Sequence, residues 1–136
     1  MANASDYLEQ QIYNHIFRDA EFSKPSTVCL GLTLDVPTDS SYEEVANANG
    51  YARYEHASGD ASWSAMGVNG EGTNDVAFEF DAATGDWGTV SGVIITDDAG
   101  YGAGNVLFRG ALTQAREVRN GDTFRFTAGS LDITIA

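Results

Sequence analysis

Val28-Cys29-Leu30-Gly31-Leu32-Thr33-Leu34 places a large apolar side chain at every second position, the two-residue period of a half-buried strand, and Pro37 ends the run. Similar runs recur downstream at 51–56, 76–80, 90–96, 105–112, 123–126 and 131–135, each carrying alternating or β-branched and aromatic residues. The intervening stretches 38–49, 67–75, 97–104 and 120–122 are rich in residues that accept turn geometry, and Asn120-Gly121 is the sharpest of these signals. Strands with no fixed spacing argue against a solenoid or propeller. They predict a mainly β fold, an antiparallel β-sandwich, with Val76, Phe78, Phe80, Phe124, Phe126, Leu131, Ile133 and Ile135 turned inward. A partly closed barrel is the alternative.

Upstream, residues 1–18 follow a different period. Leu8, Ile12, His15 and Ile16 fall at i, i+4, i+7 and i+8, one stripe of an amphipathic helix, and Tyr13 and Phe17 widen its apolar face. Asn3 or Ser5 can cap the first turn, Asp6 and Glu9 suit the positive end of the helix dipole, and Arg18 suits the negative end. The chain thus divides into an N-terminal helix and arm, 1–24, and a β-sandwich domain, 25–136. The apolar helix face must be buried against this chain or against a neighbouring copy.

Composition narrows the partners. With 136 residues, 43% of them hydrophobic, the chain can bury one core of ordinary size. Its 20 acidic residues against 7 basic ones give a formal charge of −13, which argues against nucleic acid and against an anionic membrane surface. Four of the cations, Arg109, Arg116, Arg119 and Arg125, lie near the C-terminal end, while residues 35–98 contain only Arg53. Cys29 is the single cysteine, so an intramolecular disulfide is impossible, and its strand context reads as an inert buried thiol. Neither a signal peptide nor an apolar run of membrane-spanning length is present, and the expected product is made soluble in the cytoplasm.

Chemistry-bearing patterns are sparse. His15 sits on or beside the apolar helix stripe, where a hydrogen-bonded structural role is the ordinary outcome, and no nucleophile-elbow motif occurs. The Gly-rich stretch 100–105 lacks the following helix that a phosphate cradle needs and reads as a loop. Asp97 with Asp98, or Glu71, Asn74 and Asp75, could gather around calcium, but neither has EF-hand spacing. No catalytic residue, metal site or cofactor is assigned.

Several segments, taken in order, carry a resemblance. These are the opening Met1-Ala2-Asn3-Ala4-Ser5-Asp6-Tyr7-Leu8 with Asn14-His15-Ile16-Phe17-Arg18, then Pro37-Thr38-Asp39 and Gly50-Tyr51-Ala52-Arg53. Trp87-Gly88-Thr89-Val90, Asn105-Val106-Leu107-Phe108-Arg109-Gly110 and Gly121-Asp122-Thr123-Phe124 follow. In this order the chain resembles a family of small bacteriophage virion proteins generally labelled tail fibre or minor structural proteins. The resemblance implies a non-enzymatic virion subunit, made in the host cytoplasm, that contacts other virion proteins and itself as a homo-oligomer. Capsid decoration is one alternative. Recognition of a host glycan through Tyr42, Trp63 and Tyr101 is another. The residues expected at the interface are Leu8, Ile12, Tyr13, Ile16 and Phe17 on the helix, with Tyr51, Arg53 and Trp87 in the β body. For Tyr51 and Trp87 the core reading is favoured over the interface one.

Overall fold

The computed structural model describes residues 1–57 and 61–135. Its elements in chain order are β1 (Ala2–Ala4), α1 (Asp6–Phe17), β2 (Thr27–Thr33), β3 (Tyr54–Ala57), β4 (Glu71–Thr73), β5 (Phe78–Glu79), β6 (Gly88–Thr96), β7 (Val106–Val118), β8 (Arg125–Phe126) and β9 (Asp132–Thr134). Seven strands form one sheet in the order β3-β2-β6-β7-β1-β9-β4, and β5 pairs with β8 in a two-stranded ribbon. The large sheet curls into a half-barrel. Phe78, Phe80, Phe124 and Phe126 of the ribbon region share one core with Leu30, Leu32, Val93 and Ile95 of the sheet. The mainly β architecture with one N-terminal helix therefore stands, between a sandwich and a partial barrel.

Three local expectations change. Residues 2–4 are a strand, not helix: Ala2 and Ala4 are buried and Asn3 exposed, the alternation of a pleat. Ser5 then starts the helix, because its hydroxyl accepts the Leu8 amide at 3.2 Å while donating to the Val106 carbonyl. β1 pairs parallel with β9 and antiparallel with β7, so the sheet is mixed at that one ladder. Val76 and Ile135, expected inside, are both 41% exposed, whereas the other six predicted core residues are buried. Val76 lies just before the short β5, and Ile135 just after β9, where the ladders no longer hold them to the core face.

The longest ladder, β6 with β7, is irregular: Gly92 pairs with Ala111, but Val90 pairs with Arg116. This irregularity sets residues 112–115 of β7 out of register, and the ladder resumes from Arg116 to Val118 opposite Val90 to Gly88. At Gly92 a Cβ would meet Thr33, the Asp35 carbonyl and Pro37, so the absence of a side chain lets the 35–37 turn lie against β6.

Asp39 joins the loop after β2 to the helix start. It accepts the Asp6 amide at 3.2 Å and a two-pronged contact from Arg109 at 3.1 and 2.8 Å. The Arg109 hydrogen bonds hold the Asp39 carboxyl below the usual carboxylate value. A depressed folded-state pKa contributes stability above the unfolded value and loses it as pH falls through the folded one. Asp39→Asn is therefore expected to flatten the stability–pH curve below about pH 4, measured by urea unfolding across the acid range. A curve of unchanged slope would remove this assignment.

Candidate functional site

Two regions gather the residues expected to act. The first lies under the loop that follows β6. Glu44, in the 38–49 stretch, and Arg53, just before β3, form a two-pronged ion pair at 2.9 Å through the Nε and Nη2 edge of the guanidinium. Their side chains are 3% and 0% exposed. Tyr51 donates to the same carboxylate at 2.7 Å and accepts the Leu32 amide at 3.0 Å. Arg53 Nη1 reaches onward to Thr96 Oγ1 and to the carbonyls of Asp98 and Ala103, and the Gly102 amide donates back to Glu44.

The Gly-rich 100–104 loop is thus tied down from beneath by one buried cation and one buried anion. Burial disfavours the charge on Arg53, but the Glu44 contacts outweigh it and raise its pKa. Burial, and then Glu44, push the Tyr51 phenol upward. With every partner internal, this cluster holds shape: its groups are satisfied by one another and face no open cleft. Trp87 is likewise interior, edge-on to Tyr51 at 5.3 Å and donating to the Asn49 carbonyl at 2.9 Å. Tyr51, Arg53 and Trp87 therefore sit inside the subunit.

The second region is α1. Only its first turns dock: Leu8 packs with Ala4 and Leu107, supported by Tyr7, Ile12, Phe22 and Phe108. Beyond Ile12 the helix faces solvent. Tyr13, Ile16 and Phe17 are 59%, 63% and 71% exposed, and the Tyr13 and Phe17 rings lie 5.0 Å apart. His15, which periodicity put on or beside the buried stripe, is exposed, and its Nδ1 accepts the Phe22 amide at 3.1 Å, turning the chain after the helix.

The remaining candidates are engaged locally. Asp97 accepts the amide and side chain of Asn105, Asp98 accepts the Gly100 amide, and Glu71 accepts from Asn69. Asn74 is 1% exposed and staples three segments, donating to Val76 and Thr127 and accepting from Leu131. Among the described residues no group of three or more His, Cys, Asp or Glu is placed to hold a metal ion. Cys29 is buried, and burial raises its pKa. His56 stacks beside Tyr54 and Phe78. Tyr101 lies edge-on to Tyr51 and Trp63 tilts against Phe78, while Tyr42 is half-buried. Among the described residues no ring contact joins these three into one platform. No helix of the described residues is long and apolar enough to cross a membrane.

Sequence reasoning noticed Arg53 beside Tyr51 but missed Glu44. The signal was present: a single cation in an acidic stretch, spaced two residues from an aromatic on a strand-like face, needs a carboxylate when that face is buried.

The model of one protein family, podophage GP4 fiber I protein gp80, matches residues 3–134. No curated protein matches the sequence. The match spans nearly the whole chain, which belongs to this bacteriophage virion fibre family.

Proposed function

We propose that this fibre-family chain is a non-enzymatic structural subunit of the phage particle, and that it is held there through contacts with other virion proteins and with copies of itself. The solvent-facing half of α1 supplies the contact. The observation that carries this reading is the contrast along one helix. Leu8 is 6% exposed, while Tyr13, Ile16 and Phe17 present a contiguous apolar face to water three turns into a chain of formal charge −13. Adjacent aromatics on a rigid helix suit the anchor role in an interface, since they bury large area at small entropic cost. The strong negative charge keeps such a patch from promiscuous self-adhesion until the correct partner is met.

The reading is tested in particles. Tyr13→Ser, Ile16→Ser and Phe17→Ser together are expected to leave the isolated chain's stability within about 0.5 kcal/mol, because none of the three is part of the core. The same triple change should strongly reduce incorporation into virions. Undiminished incorporation would remove the helix from the interface. Cryo-electron microscopy of the particle locates the subunit: density confined to the tail supports a fibre component, and density repeated over the shell supports capsid decoration. Absence from the particle contradicts both.

A further inference from the structure

The β body contains five arginines, and three are committed: Arg53 to Glu44, Arg109 to Asp39, and Arg119 to Glu117. Arg116 and Arg125 are not. Arg116, where the β6–β7 ladder resumes opposite Val90, lies over the Phe124 ring at 5.7 Å and has no carboxylate partner among the described residues. Arg125, on β8, has a single loose contact to Glu79 at 3.9 Å, with both side chains more than half exposed. In a chain with 20 acidic residues and 7 basic ones, two guanidiniums with open carboxylate-binding capacity are unexpected.

Both border the same cleft, between the distal half of β7 and the β5–β8 ribbon. Two hollows, of about 190 and 370 Å³, adjoin there, and Arg116 and Arg125 line each of them. The smaller continues over Thr113, Gln114 and Ser130, and the larger over Thr123, Thr127 and the Glu79 carboxylate, whose contact to Arg125 a ligand carboxylate would displace. Cationic, hydroxyl and amide side chains thus outnumber the apolar ones along the cleft, and one carboxylate, Glu79, stands among them.

We propose that this cleft binds a carboxylated saccharide of the uronic-acid type. The planar fork of a guanidinium matches a carboxylate in two-pronged fashion, and the threonine and serine hydroxyls match ring hydroxyls. Hollows of this size suit one or two sugar rings more than a protein face. The remainder of the surface repels polyanions, so binding depends on this local pair and not on a general basic field. The inference is independent of the docking role of α1.

The test uses the intact chain, titrated with short oligogalacturonates and with their methyl esters, which lack the charge, while backbone amide shifts are followed. Shifts are expected around 113–116 and 123–127 with the free acid, and little response with the ester. Arg116→Gln with Arg125→Gln should weaken binding at least about tenfold, and each single change by a smaller factor, with the far-ultraviolet spectrum unchanged. Failure to bind the acid at millimolar concentration overturns the proposal, as does equal binding of the ester or unchanged binding by the double variant. A double variant that alters the oligomeric mass, in a chain that ignores uronates, makes the cleft a protein contact and also overturns it.

Discussion

Arg53→Met is expected to lower the free energy of unfolding by about 3–5 kcal/mol, the loss typical of removing one member of a buried ion pair. The Glu44 carboxylate would then lie 3% exposed with its cation gone, keeping only the Tyr51 hydroxyl and the Gly102 amide. Desolvation without compensation drives the loss, so the paired variant Glu44→Gln with Arg53→Met should recover much of it. A second readout is local. Arg53 binds the carbonyls of Asp98 and Ala103, so the single variant should raise amide exchange across the 98–104 loop more than in the sheet. Urea unfolding and hydrogen exchange check both, and a loss below about 1 kcal/mol would mean that the pair behaves as a surface bridge.

Gly110→Ala is the second large effect. A Cβ at this position on β7 would collide with the Met1 carbonyl and crowd the backbone of Ala2. The colliding atoms are backbone, and β1 is pinned between β7 and β9, so it cannot yield without breaking ladder pairing. The expected cost is about 3 kcal/mol or more, at or above the upper end of overpacking penalties. Because Ser5, the cap of α1, follows β1 directly, the helix should loosen with the strand. Limited proteolysis should cut near the N-terminus of the variant well before the wild type. Equal protection would show that β1 shifts aside without cost.

The same geometry governs truncation experiments. Removing residues 1–18 takes away an inner strand as well as the exposed helix face, so lost assembly after truncation reports the fold and the contact together. Side-chain changes at Tyr13, Ile16 and Phe17 separate the two.

Much of the architecture was legible in local pattern. The alternation at 28–34 and 90–96 returns as β2 and β6, neighbours paired from Cys29–Thr96 to Thr33–Gly92. Asn120-Gly121 forms its turn with Gly121 at φ 91°, a conformation that glycine adopts without strain. The helix was legible in its period. Its start was not, because three residues of strand carry too little period to register and Ala2-Asn3-Ala4 has no strong β-formers. β4 escaped notice for a related reason: Glu71-Gly72-Thr73 is held by its partner β9, not by its own propensity.

Sequence alone determined that this is an acidic, mainly β chain with one N-terminal helix, since hydrophobic period, turn residues and charge are properties of neighbouring positions. The tertiary structure decided which apolar and charged groups are spent internally. Tyr51, Arg53 and Trp87 are consumed by partners far along the chain, such as Thr96 and the Ala103 carbonyl for Arg53. Tyr13, Ile16 and Phe17, on the same helix as buried Leu8, are left in water. A side chain's period fixes the face it occupies on its own element, but whether that face is covered depends on how the sheet curls and where the helix is anchored.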